Sequence, residues 1–308
     1  MKDVILIVGP TGVGKTKLSL ILANKLKSKI ISADSMQIYR GMDIGTAKVS
    51  REIQDDIKHY LIDVVNPDEE YNVSNFQEDA FQIIDNLLLK GQTPIVVGGT
   101  GLYINSLVYK LEFGNEEPNE EYRNKLWRIY EEKGSQALLD LLKSKDPNSL
   151  QTIHGNNIKR IIRAIEYNHT TGLKYSEKND NFREENKDYN FHIYCLEEER
   201  SKLYERINHR VDEMIDEGLL KEVESLISKY DKNSISFKGI GYKEVVDYLE
   251  NKTDYDEMLR LLKRNSRRLA KRQYTWFRRD NRINWIDIEK YGYDFEKIAE
   301  YILRDIDE

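Results

Sequence analysis

The sequence predicts an α/β fold in which a parallel sheet is flanked by helices and interrupted by an all-helical insertion. Three observations carry this. From Val4 to residue 110, apolar runs of strand length alternate with helical stretches. A glycine-rich octapeptide, GPTGVGKT at 9–16, lies between the first such strand and the first such helix. From 115 to about 189 the alternation lapses and only helical periodicity remains. Strands separated by helices pair in parallel, with the helices on the sheet faces.

Val4 to Val8 is an apolar segment long enough for one buried strand. Gly9, Pro10, Thr11, Gly12, Val13, Gly14, Lys15 and Thr16 then fit the phosphate-loop pattern G-x-x-x-x-G-K-[ST], and Leu18 to Leu26 continues as a helix. Strand, loop and helix in that order are the context the motif needs. The glycines let successive N–H groups turn inward onto an anion, and the helix N-terminus adds partial positive charge. Lys15 is placed to contact terminal phosphates and Thr16 to offer its hydroxyl to a Mg²⁺. A P-loop NTPase-like core of the nucleotide- and ATP-binding type is therefore expected, although the loop reads phosphate groups and not what they are attached to.

Residues 29–33 read as a second strand, ending at Asp34. The stretch from Ser35 to Lys48 is too irregular for a helix and reads as a loop. Tyr60 to Val65 is a third candidate strand. Ser74 is the expected cap of a helix carrying Phe76, Ala80, Phe81, Ile84, Leu87 and Leu88 and ending at Gly91. Pro94 to Val97 is a further buried strand, turning through Gly98-Gly99-Thr100-Gly101 into a helix from Leu102 to Tyr109.

Gly114 to Glu121 is polar and acidic, a boundary by composition. Residues 119–170 read as helices broken at Gly134 and at Asp146-Pro147, the last with Ile158, Ile161, Ile162 and Ile165 on one face. Gly172 to Tyr189 is polar and expected to be mobile. Phe191 to Leu196 returns to a strand. The expected domains are thus 1–114 with 190–308 as the core, and 115–189 as the insertion. Beyond the returning strand, helices are expected over Glu199–Glu217, Leu219–Tyr230, Tyr242–Glu250 and Tyr255 to about Arg279. A short strand, Ile283–Ile286, and a helix from Asp294 follow.

Bulk properties narrow the class. The 308 residues exceed one small domain; hydrophobic content is 39% and charged content 33%, which suits a globular chain with a full core. No apolar stretch reaches the ~20 residues a membrane span needs. The chain enters a strand directly after Met1-Lys2-Asp3, so no signal peptide is expected and the cytoplasm is the simplest compartment. Cys195 is alone, which excludes an internal disulfide and a cysteine-built zinc site. A monomer is expected. The net charge of −6 argues against nucleic-acid binding, but the distribution argues for it: Lys263 to Arg282 holds nine Lys or Arg and one acid, Asp280.

Several residues carry candidate chemistry. Asp34, at a strand's carboxyl end, falls near the phosphate loop; it reads as a Mg²⁺ ligand or a general base, against a plain turn cap. A Walker-B strand is wanting: Ile95 to Val97 ends in Gly98, and Leu61-Ile62-Asp63 is only a partial candidate. Asn251-Lys252-Thr253-Asp254 matches the guanine-reading N-K-x-D pattern but joins two helices instead of following a strand. In the basic run, Tyr274, Trp276 and Phe277 are interleaved with Arg267, Arg268, Lys271, Arg272, Arg278 and Arg279. Cations that track phosphates, mixed with rings that stack on bases, make an RNA surface; a solvated helix face with buried rings has the same composition.

Taken together, GPTGVGKT at 9–16, DSMQIYRGMDIGTAK at 34–48, VGGTGLY at 97–103, IKRIIRAIE at 158–166, FKGIGYK at 237–243 and LAKRQYTWFRR at 269–279 resemble the tRNA dimethylallyltransferase (tRNA isopentenyltransferase) family, in order and over nearly the whole chain. The resemblance implies transfer of a dimethylallyl group from dimethylallyl diphosphate to the exocyclic amine of the tRNA adenine just 3′ of the anticodon, with release of pyrophosphate. It implies Mg²⁺ near Thr16, Asp34 as the base, the Thr11 hydroxyl in catalysis and Arg210 near the diphosphate. It places Thr100 and Arg123 against tRNA, and the insertion against the anticodon stem-loop. Candidates for holding the extruded base and its neighbours are Asp34, Ser35, Met36 and Gln37, then Ile158, Lys159, Arg160, Ile161 and Ile162, then Lys238, Gly239, Ile240, Gly241, Tyr242 and Lys243. Arg272, Trp276, Arg278 and Arg279 would meet the RNA backbone and bases. The chain departs from the pattern at Gly12-Val13, where Ala-Ser is also common, and over 172–190. One cysteine cannot build the zinc finger of eukaryotic members, so a bacterial type is implied.

Two other readings stand beside this one. A P-loop small-molecule kinase shares the opening strand, loop and helix and predicts ATP consumption without RNA. A non-catalytic RNA-binding regulator with a nucleotide switch predicts that Asp34 is dispensable.

Overall fold

The computed structural model describes residues 2–111, 119–178 and 184–307. The chain falls into two compact units, Met1–Val108 with Lys187–Glu308, and Tyr109–Asn186.

The first unit is a six-stranded, all-parallel sheet in the order β3-β2-β4-β1-β5-β6. Its strands are β1 (Asp3–Val8), β2 (Ile30–Ala33), β3 (His59–Tyr60), β4 (Ile95–Gly98), β5 (Asn190–Glu197) and β6 (Asn284–Asp287). β1 lies between β4 and β5, and Val4 to Val8 are wholly buried, as expected of a parallel strand covered on both faces. Its helices are α1 (Lys15–Leu26), α2 (Arg51–Asp56), α3 (Val73–Leu89) and α4 (Gly101–Val108) before the second unit.

The second unit holds α5 (Glu120–Lys145), α6 (Ile158–Thr171) and α7 (Tyr175–Lys178), with a 3₁₀ turn at Pro147–Gln151. After it come α8 (Arg200–Asp216), α9 (Leu219–Ile227), α10 (Tyr242–Leu249), α11 (Tyr255–Phe277) and α12 (Phe295–Asp307).

The structure corrects the sequence reading in several places. The third strand is only His59–Tyr60, because Leu61 (φ 60°) and Asp63 (φ 57°) adopt left-handed backbone that ends the ladder. The cap of α3 is Asn72, not Ser74: the Asn72 side chain accepts from Ser74 N and Asn75 N, while Asn75 answers back to the Asn72 N–H. Helix α2 went unseen; the Ser50 side chain caps it. Gly134 does interrupt α5, at φ 76° and ψ −178°.

The second unit begins at Tyr109 and ends at Asn186, earlier at both ends than 115–189. Tyr109 bridges Glu185 and Lys110 N donates to Glu184 O, so this pairing belongs to the second unit. Tyr189 stacks on Phe81 and donates to Asp85, which fixes the stretch before β5 to the sheet unit. Part of the acidic boundary at 114–121 and part of the polar 172–189 segment lie outside the described residues. The second unit has its own core, in which Leu126, Leu138, Leu142, Ile153, Ile161, Ile162 and Ile165 are buried. Among the described residues no helix is long and apolar enough to cross a membrane.

Candidate active site

The carboxyl ends of β1, β2 and β4 open onto a cleft of about 1160 Å³ lined entirely by the first unit. Parallel strands place their following loops at this edge. The loop after β1 is the phosphate loop, with Gly9, Gly12 and Gly14 all at positive φ. Gly14 (φ 102°) caps α1, and a Cβ there would lie 2.5 Å from the Phe295 ring, so neither the backbone nor the packing admits a side chain. Lys15 and Thr16 open α1 and line the cleft.

Lys15 Nζ donates to Pro10 O at 2.8 Å. Burial pulls its pKa from the ordinary lysine value down to about 8; the carboxylate of Asp34 opposes this and the Arg210 guanidinium reinforces it. Arg210, on α8, donates to Thr11 Oγ1 at 3.3 Å. Arg206, one turn earlier, donates to Gly12 O at 3.2 Å and pairs with buried Glu198 at 2.6 Å. Burial raises the Glu198 carboxyl, and Arg206 is the first influence opposing it.

The loop after β4 is tied to the phosphate loop by one side chain of α11. Gln273 Oε1 accepts from Thr11 N at 2.9 Å, and its Nε2 donates to Gly99 O at 3.1 Å. A Cβ on Gly99 would lie 2.2 Å from that Nε2, so glycine is required for the approach. The loop after β2 starts at Asp34, whose Oδ1 accepts from Met36 N at 2.9 Å. Thr100 Oγ1 accepts from Ser35 N at 3.0 Å and joins this loop to the one after β4. Gln37 accepts from Ser32 Oγ at 3.0 Å and donates to Thr46 O at 3.2 Å. Glu222 holds the far end: its carboxylate accepts from the backbone N–H groups of Asp43, Ile44 and Gly45 at 3.0, 2.7 and 3.2 Å, and from Tyr242 Oη at 2.7 Å.

The cleft therefore brings together Thr11, Lys15, Thr16, Asp34, Met36, Gln37, Arg210, Lys238, Gly239 and Ile240. Seven of its side chains are Lys or Arg (15, 17, 48, 202, 206, 210, 238) against three carboxylates (34, 205, 213), so the site is cationic in a chain of net charge −6. Among the described residues no three His, Cys, Asp or Glu cluster to hold a metal. A Mg²⁺ here would rest on the exposed Thr16 and on ligand phosphates, the hard-oxygen set that ion favours.

Other expected residues are placed differently. Tyr242 is fully buried beside Gly45, with its hydroxyl on Glu222, and Gly241 is buried too, which leaves Lys243 exposed. Ile161 and Ile162 belong to the second unit's core, so of the expected residues 158–162 only exposed Lys159 and Arg160 and half-buried Ile158 are open to a partner. Arg123 is paired with Glu166 at 3.0 Å. Of the three rings in the basic run, Phe277 is buried and Tyr274 accepts from Glu198 N, while Trp276 packs on Gly101 and donates to Asn105 at 3.3 Å. Arg278 lies over the Tyr274 and Trp285 rings. Trp276 still lines an open groove of about 520 Å³ with Arg268, Lys271, Arg272 and Arg279.

Asp63 is no Walker-B acid: it holds Lys48 at 2.6 Å and Arg51 at 3.1 Å. Asp254 of the N-K-x-D match caps α11. Gln273, Arg206 and Glu222 escaped the sequence reading; Gln273 and Arg206 lie on strongly amphipathic helices, where a polar residue facing a loop resembles any solvated one.

Known proteins resemble this chain along its length. A family model described as IPP transferase matches residues 37–280. The chain is 50% identical to a tRNA dimethylallyltransferase of Finegoldia magna, over 100% of this chain and 98% of the relative. The structure of the full-length tRNA isopentenylpyrophosphate transferase from Bacillus halodurans matches with a TM-score of 0.74 at 40% identity, over 100% of this chain and 97% of that one. A eukaryotic dimethylallyltransferase acting on tRNA matches with a TM-score of 0.79 at 29% identity, over 93% and 74%. The kinase and the non-catalytic regulator are thereby set aside. A cationic phosphate-loop cleft without a Walker-B acid, and relatives of one kind along its whole length, place the chain in the tRNA dimethylallyltransferase family of prenyltransferases.

Proposed function

We propose that the cleft transfers a dimethylallyl group from dimethylallyl diphosphate to the exocyclic amine of the adenine just 3′ of the anticodon, at tRNA position 37. The observation that carries this is one cleft lined by the phosphate loop, Asp34 and the 238–240 segment, so that leaving group and nucleophile have adjoining places.

The diphosphate lies on the N–H groups of the phosphate loop and the start of α1, with Lys15 and Arg210 beside it. These charges are fixed before the reaction and stabilise the leaving group as the allylic C–O bond breaks and pyrophosphate departs with the bonding pair. A bound Mg²⁺ at Thr16 would supply further positive charge there. Arg210 donates to the Thr11 Oγ1 and holds that hydroxyl in the loop, from where it would meet the oxygen of the breaking ester bond. The amine nitrogen forms the new C–N bond, and its proton passes to Asp34. An adenine amine shares its lone pair with the ring, so a positioned carboxylate is worth roughly 10²–10⁴ in rate. The base must leave its stack to reach the cleft. Met36, Gln37, Lys238, Gly239 and Ile240 line its place, and Ser35 with Thr100 sets the start of that loop. The groove at Arg268, Lys271, Arg272, Trp276 and Arg279 takes the RNA backbone, and Arg123, Ile158, Lys159 and Arg160 offer a second face to the anticodon stem-loop.

Unmodified tRNA incubated with dimethylallyl diphosphate should gain one dimethylallyl unit on adenosine by nucleoside mass analysis. Asp34→Ala should keep tRNA affinity and lose about 10²–10⁴ in single-turnover rate; a near wild-type rate removes Asp34 as the base. A second outcome concerns Lys15. An anion favours the charged lysine, so binding of inorganic pyrophosphate should draw a proton onto Lys15 when the free site lies above its pKa of about 8. Calorimetry in buffers of differing ionisation enthalpy should show proton uptake at about pH 9 and little at about pH 7, with affinity falling as pH rises through 8; equal uptake at both would contradict it. Third, Arg272→Gln with Arg279→Gln should raise the KM for tRNA several-fold and flatten its salt dependence by about one to two in log–log slope, with pyrophosphate affinity unchanged. An unchanged slope would mean that this face is only solvated.

A further inference from the structure

The Gln273 side chain enters the cleft from α11 and satisfies two backbone groups that belong to different loops. Its Oε1 accepts from Thr11 N at 2.9 Å and its Nε2 donates to Gly99 O at 3.1 Å. The line of contacts runs on from Gly99. The next residue, Thr100, accepts through Oγ1 from Ser35 N at 3.0 Å and donates its own N–H to Ala33 O at 3.3 Å. Ala33 and Ser35 flank Asp34. On the other side, Thr11 Oγ1 accepts from Arg210 at 3.3 Å. One carboxamide therefore stands between the leaving-group side of the cleft, at Thr11 and Arg210, and the base side, at Asp34.

We propose that Gln273 is a positioning residue for the transfer step, a role that rests on the transferase reading above. It sets the separation between the phosphate loop and Asp34, and so between the breaking C–O bond and the proton acceptor. The group suits the task. A carboxamide holds an acceptor and a donor in one rigid, uncharged plane, so it serves an N–H and a C=O at once. The fit is close, since a Cβ on Gly99 would lie 2.2 Å from Nε2. The Thr11 N–H is already taken by Gln273, so losing the bridge removes no donor from the diphosphate. Ala270 and Phe277, buried on either side, hold α11 in place without it. What is lost is the register of two glycine-rich loops, and a misplacement of ~1 Å at the reacting centre costs about 10²-fold in rate. The rate should suffer and the affinities should not.

The test is single-turnover transfer from saturating dimethylallyl diphosphate to unmodified tRNA, with the affinities for inorganic pyrophosphate and tRNA measured beside it. Gln273→Met keeps length and bulk and loses both hydrogen bonds. Its rate should fall by about 10²-fold while both affinities stay within about threefold. Gln273→Glu keeps the acceptor for Thr11 N but turns a second acceptor toward Gly99 O. Once protonated, that carboxyl donates to Gly99 O as the amide did. Lys15 and Asp34 share the cleft and titrate in both proteins, and Arg206 and Arg210 stay charged in both. The ratio of variant to wild-type rate therefore isolates the new carboxyl, and it should rise several-fold from about pH 8.5 to about pH 6. A loss in Gln273→Met that falls on affinity instead of rate, or a Gln273→Glu ratio flat with pH, in proteins that melt as the wild type does, overturns the role of Gln273 and leaves the transferase intact. A wild type that transfers no five-carbon unit overturns both.

Discussion

An enclosed ammonium governs this site. Lys15 Nζ sits against the Pro10 carbonyl where desolvation has already drawn its pKa to about 8, and the Arg210 guanidinium adds like charge nearby. A cation so placed is costly unless an anion completes it. Asp34 supplies part of that compensation, and a diphosphate would supply the rest. In the proposed mechanism the Asp34 carboxylate, which steadies Lys15 and Arg210 in the free site, is also the group that accepts the amine proton once a diphosphate has taken over their neutralisation.

The surrounding structure serves to keep three loops in register around that charge. Gln273 reaches from α11 to both glycine loops, accepting from Thr11 N and donating to Gly99 O. Arg206 and its buried partner Glu198 hold the Gly12 carbonyl. Glu222 collects three backbone N–H groups and the Tyr242 hydroxyl to fix the far end of the loop that begins at Asp34. None of these three touches the reacting atoms in the proposed mechanism. They convert flexible, glycine-rich connections into a preorganised cleft, in which charge stabilisation needs no reorganisation at the moment of reaction.

How much of this the sequence disclosed follows from the physics of each part. Strands β1, β4 and β5 were legible because a parallel strand buried on both faces is a continuous apolar run. The phosphate loop was legible because its glycines and lysine are local in sequence. β3 was overextended because nothing in Leu61-Ile62-Asp63 announces two left-handed residues. The Gln273 bridge was invisible because its partners are 262 and 174 residues away. The buried ranks of Ile161, Ile162 and Tyr242 were hidden for the opposite reason: a segment that matches a family pattern does not say which of its side chains face a partner and which face the core. The basic run in α11 was half legible. Its cations are largely exposed, but the Phe277 ring is core and the Tyr274 ring carries a structural hydrogen bond, so Trp276 alone of the three rings lines the groove.

The central claim is that a phosphate loop built like those that serve phosphoryl transfer here supports cleavage of a carbon–oxygen bond. The most direct measurement is an isotope experiment with dimethylallyl diphosphate carrying ¹⁸O at the oxygen that bridges carbon and phosphorus, turned over with unmodified tRNA. Carbon–oxygen cleavage leaves all of the label in released pyrophosphate and none in any five-carbon product. Label retained in a five-carbon alcohol or monophosphate, with phosphate transferred or released, would contradict the account.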